Sequence, residues 1–150
     1  MEFDKNNLEM AIDHVFNSQG FIKDVGIKLI DVNKGYAKGR IYIEEKHANP
    51  MGAVHGGALF ALADTIGGTA ALTYGSKVVT LNSNINYLNP AADTEYIEAE
   101  ANVIRDGKTT AVYDVMIRSK EGVDVAKVTL TYYKVGWFIV WIKIVISYEK

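Results

Sequence analysis

Apolar residues recur at helical spacing near the N-terminus, at Leu8, Ile12, Val15 and Phe16, and Ser18-Gln19-Gly20 stops the run. A short amphipathic N-terminal helix is predicted there. Two apolar runs follow, residues 26–32 and 36–43, parted by Asn33-Lys34-Gly35, and they read as a β-hairpin. In the second run Ala37, Gly39, Ile41 and Ile43 share one face, while Lys38, Arg40 and Tyr42 take the other. Residues 44–57, with Pro50 and three glycines, read as loop. The stretch 58–75 then carries one charge, Asp64, among Ala, Leu, Phe and Ile. Apolar on all sides, it predicts a buried helix rather than a surface one. Gly67-Gly68 weakens its middle by roughly 1 kcal/mol per residue, which close approach by a neighbour would justify.

Beyond that helix the pattern is counted as three strands. One spans residues 78–88. In the next, 96–104, Ile97, Ala99, Ala101 and Val103 alternate with Tyr96, Glu98, Glu100 and Asn102. A turn at Asp106-Gly107 leads into 109–118, and Lys120-Glu121-Gly122 turns onward into 123–133. Consecutive strands joined by tight turns predict an antiparallel sheet, and one sheet curled round one apolar helix completes a core of the α+β class. This domain is assigned to residues 1–134. The remaining tail, 135–150, holds an apolar run broken by Lys143 that is shorter than the ~20 residues needed to span a bilayer. It is predicted as a sixth sheet member, an interface strand, or a non-native terminus.

Composition narrows the chemistry. The chain has 150 residues, 49% hydrophobic and 23% charged, with a formal net charge of -2. No basic patch is implied, so nucleic acid is not an expected partner, and neither is a membrane. Cysteine is absent, which excludes disulfides and thiol catalysis and fits a reducing cytoplasm. His47 and His55 stand eight apart on the loop, without the short spacing of a helical zinc pair, so no metal and no cofactor are expected. The N-terminus has no basic region followed by an apolar core, so no secretory signal is expected.

Gly56 and Gly57 stand where loop becomes buried helix. A helix N-terminus offers unpaired N–H groups and partial positive charge, and glycine lets a ligand oxygen come close. That suits an oxyanion formed at an attacked carbonyl. A glycine pair there also serves helix–strand packing with no ligand at all. Asp64 is a lone carboxylate in an apolar helix, costly to bury unless it is paired or meets water at a cavity. It is either a structural cap for a neighbouring backbone group or a base, since desolvation makes a carboxylate more basic.

The run Asn49-Pro50-Met51-Gly52-Ala53-Val54-His55-Gly56-Gly57, with Asp64 seven residues after the second Gly, resembles the hotdog-fold thioesterases of the phenylacetic-acid-degradation type. The segment from Ser83 to Ala91 resembles that family's central strand. The resemblance implies a hotdog fold and an acyl-CoA thioesterase. It implies Asp64 as nucleophile or general base, Gly56 as the backbone donor that polarises the carbonyl, and Asn49 as the side chain that positions water or carbonyl. His55 would orient the thioester, and Thr80 would supply a hydroxyl beside the water. No Ser-His-Asp arrangement is required, because a thiolate leaves readily without a dedicated acid.

Substrate contacts are expected at Gly57, Leu59, Phe60 and Tyr87, with Arg105 and Lys108 as candidate cations for the CoA phosphates. Gly56 and Asp64 are eight residues apart, about 12 Å along a helix rising 1.5 Å per residue. Donor and base must each lie about 3 Å from one reacting centre. One helix cannot easily aim both at one carbonyl, whereas two antiparallel copies can. A homo-oligomer, with a dimer as minimal unit and a tetramer as the larger assembly, is therefore expected to share the site between subunits. Two other readings remain: an acyl dehydratase or hydratase with His55 or His47 as base, and a non-catalytic acyl-CoA-binding module.

Overall fold

The computed structural model describes residues 5–17 and 20–137. Helix α1 (Lys5–Asn17) sets Val15 against Ala11 and Leu72, and Phe16 against the main core. A second helix, α2 (Phe21–Val25), has no counterpart in the sequence pattern. Five residues are too few to display a period. Gly26 ends α2 in the left-handed conformation (φ 78), its N–H bonded to the carbonyls of Ile22 and Lys23. The first strand therefore starts one residue later than expected.

Strands β1 (Ile27–Asn33) and β2 (Tyr36–Tyr42) form the predicted hairpin. Loop residues and a short 3-10 turn (Glu45–His47) lead to α3 (Gly56–Leu72). Strands β3 (Ser76–Tyr87), β4 (Tyr96–Asp106), β5 (Thr110–Ser119) and β6 (Asp124–Trp137) follow. The count of three strands after the helix is thus corrected to four. The turn at 120–122 returns the chain into a full ladder along β5, so β6 is a sixth member of the sheet. Residues 135–137 end β6; the rest of the tail, 138–150, lies outside the described residues.

All strand pairs are antiparallel, in the order β1-β2-β4-β5-β6-β3. Between β2 and β3 the chain crosses the whole sheet, and α3 is that crossing. Its Leu62, Ala63, Ile66 and Ala70 are fully buried against Ala37, Ile41, Ala99 and Ala101 of the sheet's inner face. Each large side chain so buried stabilises by roughly 1.5–3 kcal/mol. The outer face carries the polar half of the alternation, where Glu98 takes both Lys38 (2.7 Å) and Arg40 (2.7 Å). Burial pushes the Glu98 carboxyl up, but hydrogen bonds from the two cations outweigh it and hold the group below its ordinary value.

The glycine pair inside α3 splits into two cases. A Cβ at Gly67 would stand 2.5 Å from the Tyr132 hydroxyl and 2.9 Å from Leu130, whereas one at Gly68 meets nothing nearer than 3.8 Å. Gly67→Ala is therefore expected to destabilise by about 1–3 kcal/mol through overpacking. Gly68→Ala should instead stabilise by up to about 1 kcal/mol from helix propensity. Urea unfolding of the two variants checks this, and equal midpoints would contradict the close approach.

Among the described residues, β1 and β3 are the two edges of the sheet. β3 is twelve residues long and leaves Val79 (47%) and Leu81 (61%) exposed. A long apolar edge of this kind is a template for another strand.

Candidate active site

The loop before α3 is tied down by its own polar atoms. His47 is buried; its Nδ1 accepts from the Glu44 N–H (2.9 Å) and its Nε2 lies 2.8 Å from the Val25 carbonyl. Since Nδ1 accepts, Nε2 carries the proton and donates. Asn49 Oδ1 accepts from the N–H groups of Met51 (2.9 Å) and Ala53 (3.1 Å). Two main-chain donors fix which end of the amide is oxygen, so Nδ2 is the end left to face a ligand.

His55 is the N-cap of α3, its Nδ1 accepting from the Gly57 N–H at 2.8 Å. The N–H groups of Ala58 and Leu59 bond to the His55 carbonyl. Of the first-turn donors only Gly56 N–H has no protein acceptor among the described residues. Tyr87 leans across from β3, donating its hydroxyl to the Gly56 carbonyl at 3.2 Å. Asn49, His55, Gly56, Gly57, Leu59 and Tyr87 all line one open cavity of about 530 Å³, together with Asn89, Pro90 and Ala91.

Asp64 lies two turns further along α3, half-buried, at a different cavity of about 400 Å³. Its carboxylate accepts from the Thr80 hydroxyl, Oγ1 to Oδ1 2.6 Å. The bond goes to a hydroxyl on β3 and not to a main-chain N–H, so it is no helix or turn cap. Tyr132, on β6, donates its hydroxyl to the Asp64 carbonyl at 2.8 Å. Burial first, and the Asp64 charge second, push that phenol well above its ordinary pKa. It stays a neutral donor. Tyr132 has no motif to mark it. Its inward parity with Val128 and Leu130 was the available signal, because a buried phenol needs a hydrogen-bond partner.

The remaining predicted contacts divide. Phe60 packs against the core cluster and lines neither of these cavities. Arg105 and Lys108 stand at the β4–β5 turn, where the Thr73 end of α3 meets Gly35 and Val103. Gly56 is at the opposite end of α3 from Thr73, about 26 Å away along a helix rising 1.5 Å per residue. No helix among the described residues is long and apolar enough to cross a membrane.

A family model described as the thioesterase superfamily matches residues 51–126, which hold Gly56, Asp64 and Thr80. Acyl-coenzyme A thioesterase 13 of Homo sapiens is 32% identical over 76% of this chain and 84% of its own length. The chain belongs to the thioesterase superfamily. Acyl-coenzyme A thioesterase PaaI of Escherichia coli is 30% identical over 75% of this thioesterase and 80% of itself. The solved structure of E. coli PaaI superposes with a TM-score of 0.82 at 26% identity, covering 88% of this chain and 96% of that one. The hotdog fold of this thioesterase follows from that superposition. A Streptococcus mutans protein solved bound to acetyl-CoA shares 32% identity over 74% of this chain and 90% of its own, with a TM-score of 0.71. The thioesterase is an enzyme, and hydrolysis of a thioester is its reaction.

Proposed function

We propose that this thioesterase hydrolyses acyl-CoA at a site assembled from two copies of the chain, with Asp64 from one and Gly56 and Asn49 from the other. One observation carries the reading. Asp64 and Gly56 line separate cavities eight residues apart on one helix, so a single chain presents two half-sites. In the first half-site Gly56 N–H receives the carbonyl oxygen as it gains charge, in the positive field of the α3 N-terminus. The Asn49 amide can act there only as a donor, to carbonyl or water. In the second, Thr80 holds one oxygen of Asp64, leaving the other to attack the thioester carbon or deprotonate water. The C–S bond breaks with CoA leaving as thiolate; where the deprotonated water attacked, the free acid is formed directly, and where Asp64 attacked, water then hydrolyses the acyl anhydride and restores the carboxylate.

Neither histidine is placed as the base of a hydratase. Both His47 nitrogens are engaged, and His55 spends Nδ1 on the helix cap. In an antiparallel pair the second copy's Arg105 and Lys108 come to the Gly56 end, which supports them as contacts for the CoA phosphates. The proposed setting is the reducing cytoplasm that a chain without cysteine fits.

Subunit mixing tests the shared site. Asn49→Ala and Asp64→Ala homodimers should each be nearly inactive. Co-refolding equal amounts makes about half the dimers mixed, each with one intact and one doubly defective site, so about a quarter of all sites recover. Thiol release from an acyl-CoA is the measurement. No gain over the parents, with mixed dimers confirmed by mass, rules the shared site out, and no thiol release by wild type rules out the substrate.

A further inference from the structure

Asp64 is held from two sides by a single rung of the sheet. Thr80 on β3 and Tyr132 on β6 are directly paired in the antiparallel ladder, so their side chains leave the same face about 4.5–5.5 Å apart. The Thr80 hydroxyl donates to the Asp64 carboxylate at 2.6 Å, and the Tyr132 hydroxyl donates to the Asp64 main-chain carbonyl at 2.8 Å. Just past this rung the register slips, between Thr80 and Asn82, which takes Leu81 out of the alternation. Tyr87 stands an odd number of residues beyond Thr80, and because of that slip it reaches α3 from the same side.

The carbonyl that Tyr132 takes lies at a weak point of α3. In an α-helix its partner is the N–H four residues on, and residue 68 is the second of the glycine pair. Glycine weakens a helix interior relative to alanine, so the turn that follows Asp64 is poorly held by the helix alone. A carbonyl oxygen has two lone pairs, and the phenol can add its bond beside the helical one. Gly67 leaves the room for it, since a Cβ there would stand 2.5 Å from the Tyr132 hydroxyl. The phenol itself is fixed: Tyr132 is 2% exposed and meets the Tyr113 ring edge-on, with centroids 6.0 Å apart at 71°.

Resting on the reading of Asp64 as nucleophile or base, we infer that Tyr132 is a positioning residue for the hydrolysis, pinning the main chain of Asp64 so that the carboxylate oxygen left open by Thr80 is aimed at the thioester. Thr80 alone fixes one oxygen, and the carboxylate could still pivot about that bond whenever the helix backbone shifted. With carbonyl and carboxylate both held from one rung, the second oxygen keeps one direction. Tyr132 needs no contact with the substrate for this. The same molecule supplies a comparison. Tyr113 is also a fully buried phenol, and its hydroxyl lies 3.5 Å from the Ala70 carbonyl, further along α3. It supports the helix at a residue with no part in the chemistry.

The test compares Tyr132→Phe with Tyr113→Phe. Each keeps its ring and its packing and loses one hydroxyl, so both should fold, and urea unfolding should show similar losses of stability. Misplacing a reacting group by about 1 Å costs up to about a hundredfold, so Tyr132→Phe should lower kcat for thiol release by about one to two decades. KM should stay near wild type, because acyl-CoA binding does not use the aim of the carboxylate. Tyr113→Phe should keep the wild-type kcat. An unchanged kcat in Tyr132→Phe overturns the inference. So do equal losses in the two variants, which would mean general support of the helix, and a raised KM in place of the lowered kcat, which would mean contact with the substrate. Asp64→Asn measured beside them separates this inference from the reading beneath it. An active Asp64→Asn removes both, whereas an inactive Asp64→Asn with a fully active Tyr132→Phe removes the role of Tyr132 alone. Every variant is assayed as its own homo-oligomer, so the outcome of subunit mixing is independent.

Discussion

Asp64→Asn is expected to lower kcat by about two to four decades while leaving fold and KM close to wild type. The side-chain amide keeps an oxygen for the Thr80 hydroxyl, so the bond that positions residue 64 on β3 survives. The Tyr132 bond survives too, because it is made to the main-chain carbonyl. Only the ability to attack or to take a proton is lost. Thiol release under saturating acyl-CoA, with an unfolding curve recorded beside it, gives both quantities. Turnover within tenfold of wild type would remove Asp64 from the chemistry.

The second large effect falls on a main-chain atom. Gly56→Pro deletes the first N–H of α3, and one oxyanion donor is worth roughly 3 kcal/mol, or about two decades in kcat. The backbone accepts proline there. It is the first helical residue, and His55 before it is already extended at φ -63, ψ 137. The new Cβ would sit 3.0 Å from the Tyr87 hydroxyl, a crowding that has nothing to do with the N–H. Gly56→Ala brings the same Cβ and keeps the donor, so it isolates that contribution. Tyr87 is 56% exposed and can swing aside at the cost of its 3.2 Å hydrogen bond to the Gly56 carbonyl, so the alanine variant should lose less than tenfold. Equal losses for alanine and proline would mean that Gly56 matters for space and not for hydrogen bonding.

What could be read before the structure followed from periodicity. Ala37, Gly39 and Ile41 on β2 and Ile97, Ala99 and Ala101 on β4 alternate strictly and are the buried inner face. A helix apolar all round was legible for the same reason. Periods fail over short distances, so α2 was missed; the run 123–133 was legible as a strand, and only the count of strands left it out. Hydrogen bonds between elements leave no local trace. The His55 cap removes Gly57 N–H from the donors, the paired N–H groups on Asn49 Oδ1 leave only an amide donor, and Tyr132 braces Asp64 from a strand 68 residues away. The bulge at Leu81 was equally invisible, yet it decides which β3 side chains meet the helix.

The order of strands in the sheet also has a consequence for how the protein is made. Among the described residues β3 is hydrogen-bonded only to β6, which is the last described strand to leave the ribosome. A nascent chain that has emerged only as far as residue 123 already contains Asn49, Gly56, Asp64 and Thr80, yet has nothing to hold Thr80 against α3. Such non-local pairing forms late, after the loop entropy of the intervening 36 residues between Tyr87 and Asp124 has been overcome. The carboxylate is thus oriented only in a finished chain, and unfinished or prematurely terminated copies carry the residues of the enzyme without its geometry.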